Sequence, residues 1–184
     1  MSEFPTVFLD RDGTINVDYG YVVSPDDVEL LPGTAEAIAQ LRNAGYRIAI
    51  VSNQSAVARG MASREDVDAC NERLLGLLRE QNGDAVVESV LYSIDHPDTA
   101  TDRRKPGVGM LRDLPWSYRP ASSWMIGDKQ SDVDFGKNAG LPERHCLLLG
   151  TGVGSVSSLL EAAGLILREG QNESEKLDGK TRCK

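Results

Sequence analysis

Four short stretches of this sequence put acids, a hydroxyl and bases where they could do chemistry. They are Asp10-Arg11-Asp12-Gly13-Thr14, Ser52-Asn53-Gln54-Ser55, Arg104-Lys105-Pro106, and Gly127-Asp128-Lys129 with Asp132. Asp10 and Asp12 are two positions apart, so in extended chain their carboxylates share a face. Close carboxylates repel, and the usual remedies are a bound cation or a proton on one of them. The plainer reading is a turn or a helix cap, which accounts for most Asp-Gly pairs. A calcium loop is a sharper rival, because Asp10, Asp12, Thr14, Asn16 and Asp18 alternate. That loop needs Gly at its sixth position and a bidentate Glu at its twelfth. Those positions are Ile15 and Tyr21, so the calcium loop fails.

What remains is a nucleophilic carboxylate with a second acid two residues on. Phosphoryl transfer asks for an in-line nucleophile, neutralised charge and a proton for the leaving oxygen. Asp10 can attack phosphorus and Asp12 can protonate the leaving alkoxide. Asp128 can add a metal carboxylate, while Asp132 either binds metal through water or orients Lys105. Ser52 and Lys105 would hold the phosphoryl oxygens in the transition state. The donors are hard oxygens that a phosphate would complete, so Mg²⁺ is the expected cation.

The elements that must position these residues read as an α/β domain with a mostly parallel sheet. Predicted strands cover 5–9, 47–51, 86–92, 123–126 and 146–149, and Leu165-Ile166-Leu167 is a candidate edge strand. Helical spacing covers 34–44, with Gly45 just beyond its end, and runs on from Ser63, which with Asp66 forms a capping-box variant. A short helix is expected over 155–163. Asp10, Ser52 and Asp128 each close a different strand. Ligands of open parallel sheets sit at that rim.

Composition narrows the class of partner. The chain has 184 residues, 40% apolar and 26% charged, with a formal charge of −8. One globular domain is expected over 1–167, followed by a polar, flexible tail over 168–184. No apolar run approaches the roughly 20 residues of a membrane span. No signal-peptide pattern opens the sequence, and Cys70, Cys146 and Cys183 are an odd set without CxxC spacing. Reduced thiols, a cytoplasmic location and no membrane association are therefore expected. The negative charge and few aromatics disfavour a nucleic-acid groove. A small-molecule partner is expected.

Taken together, the four stretches resemble the motifs of the haloacid dehalogenase (HAD) superfamily of phosphohydrolases. A closer similarity is to the D-glycero-D-manno-heptose 1,7-bisphosphate 7-phosphatases. It is carried by residues 8–18, Gly20-Tyr21-Val22, Asn53-Gln54-Ser55, Ala58-Arg59-Gly60, Arg104-Lys105-Pro106, Gly109-Met110-Leu111 and Gly127-Asp128-Lys129. The resemblance implies a three-layer Rossmann-like fold without a large cap domain, and a monomer. It implies removal of the C7 phosphate through an aspartyl-phosphate, in nucleotide-activated heptose synthesis for lipopolysaccharide or capsule. By the same resemblance Asp10 is nucleophile and Asp12 general acid and base. Asp10, the Asp12 carbonyl and Asp128 hold Mg²⁺, and Ser52 and Lys105 steady the phosphoryl group. Asp18, Tyr19, Gly20, Tyr21, Asn53, Gln54, Ser55, Arg104 and Lys129 line the sugar side.

A bisphosphate would give Arg104 and Lys129 a purpose, because the phosphate that stays also needs cations. Ordinary solvent-exposed charge is the alternative for both, and more so for Arg59. A histidinol-phosphate phosphatase, or another phosphatase of small phosphomonoesters, is the alternative activity. Many members of the family carry a Cys-x-His…Cys-x-Cys zinc loop before the Arg-Lys-Pro stretch. The corresponding positions here are Ser93, Asp95, Thr101 and Arg103, which cannot make a tetrahedral thiolate site. No zinc is expected.

Overall fold

The computed structural model describes residues 3–181, with side chains up to residue 171. Its centre is a five-stranded sheet built from β2 (Thr6–Leu9), β3 (Arg47–Asn53), β4 (Ser89–Ser93), β6 (Trp124–Gly127) and β7 (Cys146–Leu148). The order is β4-β3-β2-β6-β7 and every neighbouring pair is parallel. From β2 the chain first winds outward through β3 and β4, then crosses back to lay β6 and β7 on the other side. The direction therefore reverses beside β2. That switch point is where the carboxyl ends of β2, β3 and β6 leave a crevice.

The strand residues explain why helices cover both faces. Val7 and Leu9 of β2 turn to one side and Phe8 to the other, and all three are fully buried. On the first side Ile48, Ile50 and Ile126 join Val7 and Leu9 against α1 (Thr34–Asn43), α2 (Arg64–Gln81) and α4 (Leu159–Thr181). On the second side Phe8, Val51 and Met125 meet Phe135 of α3 (Gln130–Asn138) and the irregular segment holding Met110 and Trp116. The result is three layers, the α/β architecture expected. A small pair, β1 (Glu3–Phe4) with β5 (Ser117–Tyr118), lies apart from the main sheet.

Caps and turns fall largely where the residues placed them. The Ser63 hydroxyl accepts from the Asp66 N–H, while the Asp66 carboxylate accepts from the Ser63 N–H at 2.8 Å, closing both halves of the capping box. Gly45 follows α1 in the left-handed region with φ 90°.

Five details differ from expectation. β4 begins at Ser89 rather than at residue 86, because Glu88 turns its carboxylate to the Ile48 N–H at 2.7 Å and to Arg42, so a side chain takes the place of a ladder partner there. Helix α3 was not foreseen; it carries one large buried apolar side chain, Phe135, too few to show a stripe. The helix expected over 155–163 starts only at Leu159. Leu165-Ile166-Leu167 is helix and not an edge strand: Leu159, Ala162, Ala163 and Ile166 form one buried stripe at helical spacing. The start expected for the polar tail thus falls inside α4, where Glu169 is bonded to Arg144 at 2.7 Å. Cys183 lies outside the described residues; Cys70 is buried, Cys146 half-buried, and both are free thiols.

Gly136 of α3 shows how closely this helix approaches the sheet. A Cβ there would meet Met125 Cβ at 2.9 Å and Cys146 Sγ at 2.6 Å. Gly136→Ala should therefore cost about 1–3 kcal/mol, seen as a lower urea midpoint. An unchanged midpoint would contradict this packing.

Candidate active site

The turn after β2 brings Asp10 and Asp12 to the crevice. The Asp10 N–H still donates to Ile126 O at 2.9 Å, so Asp10 is held by the sheet. The chain then folds tightly: the N–H groups of Ile15 and Asn16 both donate to Arg11 O. Gly13 makes this possible with φ 82°, and a Cβ there would come 2.5 Å from Asp128 Oδ2. Only glycine lets the β2 and β6 turns approach this closely.

Asp10 is nine-tenths buried and bonded to an equally buried base. Lys105 Nζ is 2.7 Å from Asp10 Oδ1, 2.7 Å from Asp132 Oδ1 and 2.7 Å from Val51 O. The contacts with Asp10 and Val51 are hydrogen bonds, and that with Asp132 is an ion pair. Burial alone would lower the Lys105 pKa, but the charges of Asp10 and Asp132 outweigh it and the pKa is raised. Lys105 is itself fixed by Asn53, whose side chain accepts from the Lys105 N–H at 2.9 Å and donates to the Lys105 carbonyl at 3.1 Å. Asp132 is placed by α3, whose first turn it caps through the Lys129 N–H at 2.9 Å. Gly127 leaves it room, since a Cβ there would lie 2.2 Å from Asp132 Oδ2.

Asp12 is gripped on both oxygens. Oδ1 accepts from Arg11 Nε at 3.1 Å and Asn16 Nδ2 at 2.9 Å, and Oδ2 accepts from Arg11 Nη2 at 3.0 Å and Gln54 Nε2 at 2.8 Å. Arg11 is 1% exposed and also donates to Asn71 of α2 and to Gln54. Gln54 Nε2 reaches Ser52 Oγ at 2.8 Å as well. Arg11, Asn16 and Asn71 were not foreseen as site residues. An arginine beside an aspartate gives no sequence signal of burial, and Asn71 joins only through the fold.

Asp10, Asp12, Ser52, Asn53, Gln54, Lys105 and Asp132 line a cavity of about 220 Å³ with Asp18, Gly20, Tyr21, Ser55, Arg104 and Lys129 at its rim. Lys129 is tied to Asp18 at 3.0 Å and stands 3.7 Å from Asp128. Burial resists charge on Asp18, yet the Lys129 ammonium and the Gly20 N–H outweigh it and its pKa is lowered. Tyr19 stands outside the cavity lining, exposed, with its hydroxyl donating to Glu29 at 2.6 Å. Asp128 lines an adjoining cavity, on the side of Gly13 and Thr14. Ser93, Asp95, Thr101 and Arg103 are hydrogen-bonded to one another and offer neither thiolate nor imidazole.

Asp10, Asp128 and Asp132 each present a carboxylate oxygen within 4.8 Å of the others. Asp128 Oδ1 is buried without a hydrogen-bond partner. With Asp18 counted, four acids beside the two ammoniums of Lys105 and Lys129 leave two negative charges. A hard divalent cation fits that donor set and that deficit. The Asp128 carboxyl is pushed up to about 6, by burial first, with Asp10 and Asp132 adding to it against the pull of Lys129.

Residues 102–168 match a HAD-hydrolase-like family model. The D-glycero-beta-D-manno-heptose-1,7-bisphosphate 7-phosphatase of Rhodopseudomonas palustris is 42% identical over 147 residues, covering 75% of this chain and 81% of its own. The enzyme of that name from Haemophilus ducreyi is 35% identical over 171 residues, 88% of this chain and 91% of its own. Among solved structures, the D,D-heptose 1,7-bisphosphate phosphatase of B. bronchiseptica, complexed with magnesium and phosphate, superposes with a TM-score of 0.78 at 28% identity, over 90% of this chain and 99% of that one. The Burkholderia thailandensis protein of the same description gives 0.63 at 26%, over 89% and 98%.

A cation held by these acids would compete with a proton for Asp128. Below about pH 6 the proton wins, so titration calorimetry with Mg²⁺ should show affinity falling by up to about tenfold per pH unit there, and level above. A constant affinity from pH 5 to 7.5 would contradict the placement of Asp128 at the cation.

Proposed function

The chain belongs to the D-glycero-D-manno-heptose-1,7-bisphosphate 7-phosphatase family and is a phosphatase of the HAD class, and we propose that it removes the C7 phosphate of D-glycero-D-manno-heptose 1,7-bisphosphate. The observation that carries this reading is the Asp10 carboxylate at the head of β2, bonded to the buried Lys105 ammonium and facing a cavity that also holds Arg104 and Lys129. Two cations at the rim, beyond the one at the reacting end, suit a substrate with a second phosphate.

In the first half-reaction an Asp10 oxygen bonds to phosphorus as the P–O7 bond breaks. The departing sugar oxygen takes its proton from Asp12. In the second half, Asp12 takes a proton from water as that water attacks phosphorus, which releases inorganic phosphate and restores Asp10. Lys105 and Ser52 offer donors to the phosphoryl oxygens as charge builds on them. Asp132 keeps Lys105 aimed, and the donors from Arg11, Asn16 and Gln54 keep Asp12 from wandering. Asp10, the Asp12 carbonyl and Asp128 would hold Mg²⁺, which when bound neutralises charge on the transferring group. Arg104 and Lys129 hold the phosphate that stays, with Asp18, Gly20, Tyr21 and Ser55 about the sugar.

The product, a heptose 1-phosphate, is ready for coupling to a nucleotide, which places the enzyme in nucleotide-activated heptose synthesis. We read it as a cytoplasmic monomer. No helix among the described residues is long and apolar enough to cross a membrane. No zinc is needed in this scheme.

Asp10→Asn keeps the shape of the side chain but removes the nucleophile. Phosphate release should drop on the order of a thousandfold or more, with circular dichroism unchanged. Turnover within tenfold of the parent protein would refute the assignment.

A further inference from the structure

Asp95 lies past the end of β4, away from the reacting carboxylates, and binds chain on both sides of a short loop. Its Oδ2 accepts from the Thr101 N–H at 2.9 Å and from the Thr101 hydroxyl at 2.6 Å. The Asp95 N–H donates to Ser93 Oγ at 3.2 Å, and the Arg103 N–H donates to Thr101 Oγ1 at 3.1 Å. Ser93 is anchored to the site, because its carbonyl accepts from the Gln54 N–H at 2.7 Å. At the far side the Arg104 N–H donates to Thr101 O at 3.3 Å, and Arg104 Nη1 donates to the Asp95 carbonyl at 3.2 Å. Hydrogen bonds therefore run from Gln54, through Ser93, Asp95 and Thr101, to both ends of Arg104.

We infer that Asp95 is a positioning residue: its carboxylate, clasped by Thr101, closes the 95–101 loop so that its own carbonyl fixes the Arg104 guanidinium at the cavity rim. The clasp costs little to keep charged, since the Thr101 hydroxyl holds the Asp95 carboxyl below the usual range. Arg104 has few other restraints. Among the described residues this carbonyl is the only hydrogen-bond partner of its side chain, with the Asp95 charge attracting it and the like charge of Arg59 opposing. A long flexible side chain with one such restraint loses its place when that restraint moves.

The consequence rests on the reading that Arg104 grips the phosphate that is not hydrolysed. Crystal structures of Asp95→Ala and Asp95→Asn test the clasp, and kinetics of the same variants and of Arg104→Ala test its use. In Asp95→Ala the Arg104 guanidinium should leave the rim, while Asp95→Asn, which retains an oxygen acceptor, should keep it there. KM for the bisphosphate should rise about tenfold in Asp95→Ala, with kcat within about twofold and with p-nitrophenyl phosphate kinetics unchanged. The double variant with Arg104→Ala should be no worse than Arg104→Ala alone. Arg104 in its original position in Asp95→Ala overturns the clasp, as does an equal loss on both substrates. An unchanged bisphosphate KM in Arg104→Ala, with the guanidinium displaced in Asp95→Ala, overturns the assigned use of Arg104 and leaves the clasp supported.

Discussion

One buried ammonium holds this site together. Lys105 is 4% exposed and bridges Asp10 and Asp132, both of them buried, at 2.7 Å each. Removing three charges from water is costly, and attraction repays it only where geometry is close and every proton and lone pair is used. A hydrogen bond to Val51 O on β3 joins these contacts, so Asp10, the end of β3 and the first turn of α3 are pinned to a single atom. The glycines follow from this demand for closeness. A side chain at Gly13 or Gly127 would occupy the space of Asp128 or Asp132.

The same arrangement would suit a cation of two charges. With Lys105 and Lys129 answering two carboxylates, Asp10, Asp18, Asp128 and Asp132 retain a surplus of two negative charges in a half-buried crevice. On a chain whose net charge is −8, an anionic substrate would be turned away unless positive charge were concentrated at the point of entry. Arg104 and Lys129 supply part of it at the cavity rim, and a divalent cation beside the acids would supply the rest. Screening limits the distant surface charges, while the near ones act through a drier medium.

What could be read from residues alone followed the range of the interactions involved. Asp10, Asp12, Ser52 and Asp128 stand at strand ends, so strand pattern and the parallel-sheet rule sufficed to bring them together. Lys105 ends no strand. It comes a dozen residues after β4 and reaches the site through its reciprocal bonds with Asn53, a long-range contact visible only by family resemblance before the fold is seen. Arg11 was legible as a letter of a motif but not as a buried strut, since its partner Asn71 is 60 positions away. Leu165 to Leu167 misled for a local reason: three successive apolar residues suit a buried strand or a helix equally. Only the spacing from Leu159 to Ile166 decides it.

The most direct test of the account is chemical capture of the phosphoenzyme. Mg²⁺-loaded protein turning over the bisphosphate would be quenched, treated with borohydride and digested, and the peptides read by mass spectrometry. An acyl phosphate on Asp10 is reduced to homoserine, so the peptide of residue 10 alone should carry that change, and only when substrate is present. Reduction at another acidic residue would make that residue the nucleophile, and none in protein shown to be active would mean that water attacks phosphorus directly; either result contradicts the account.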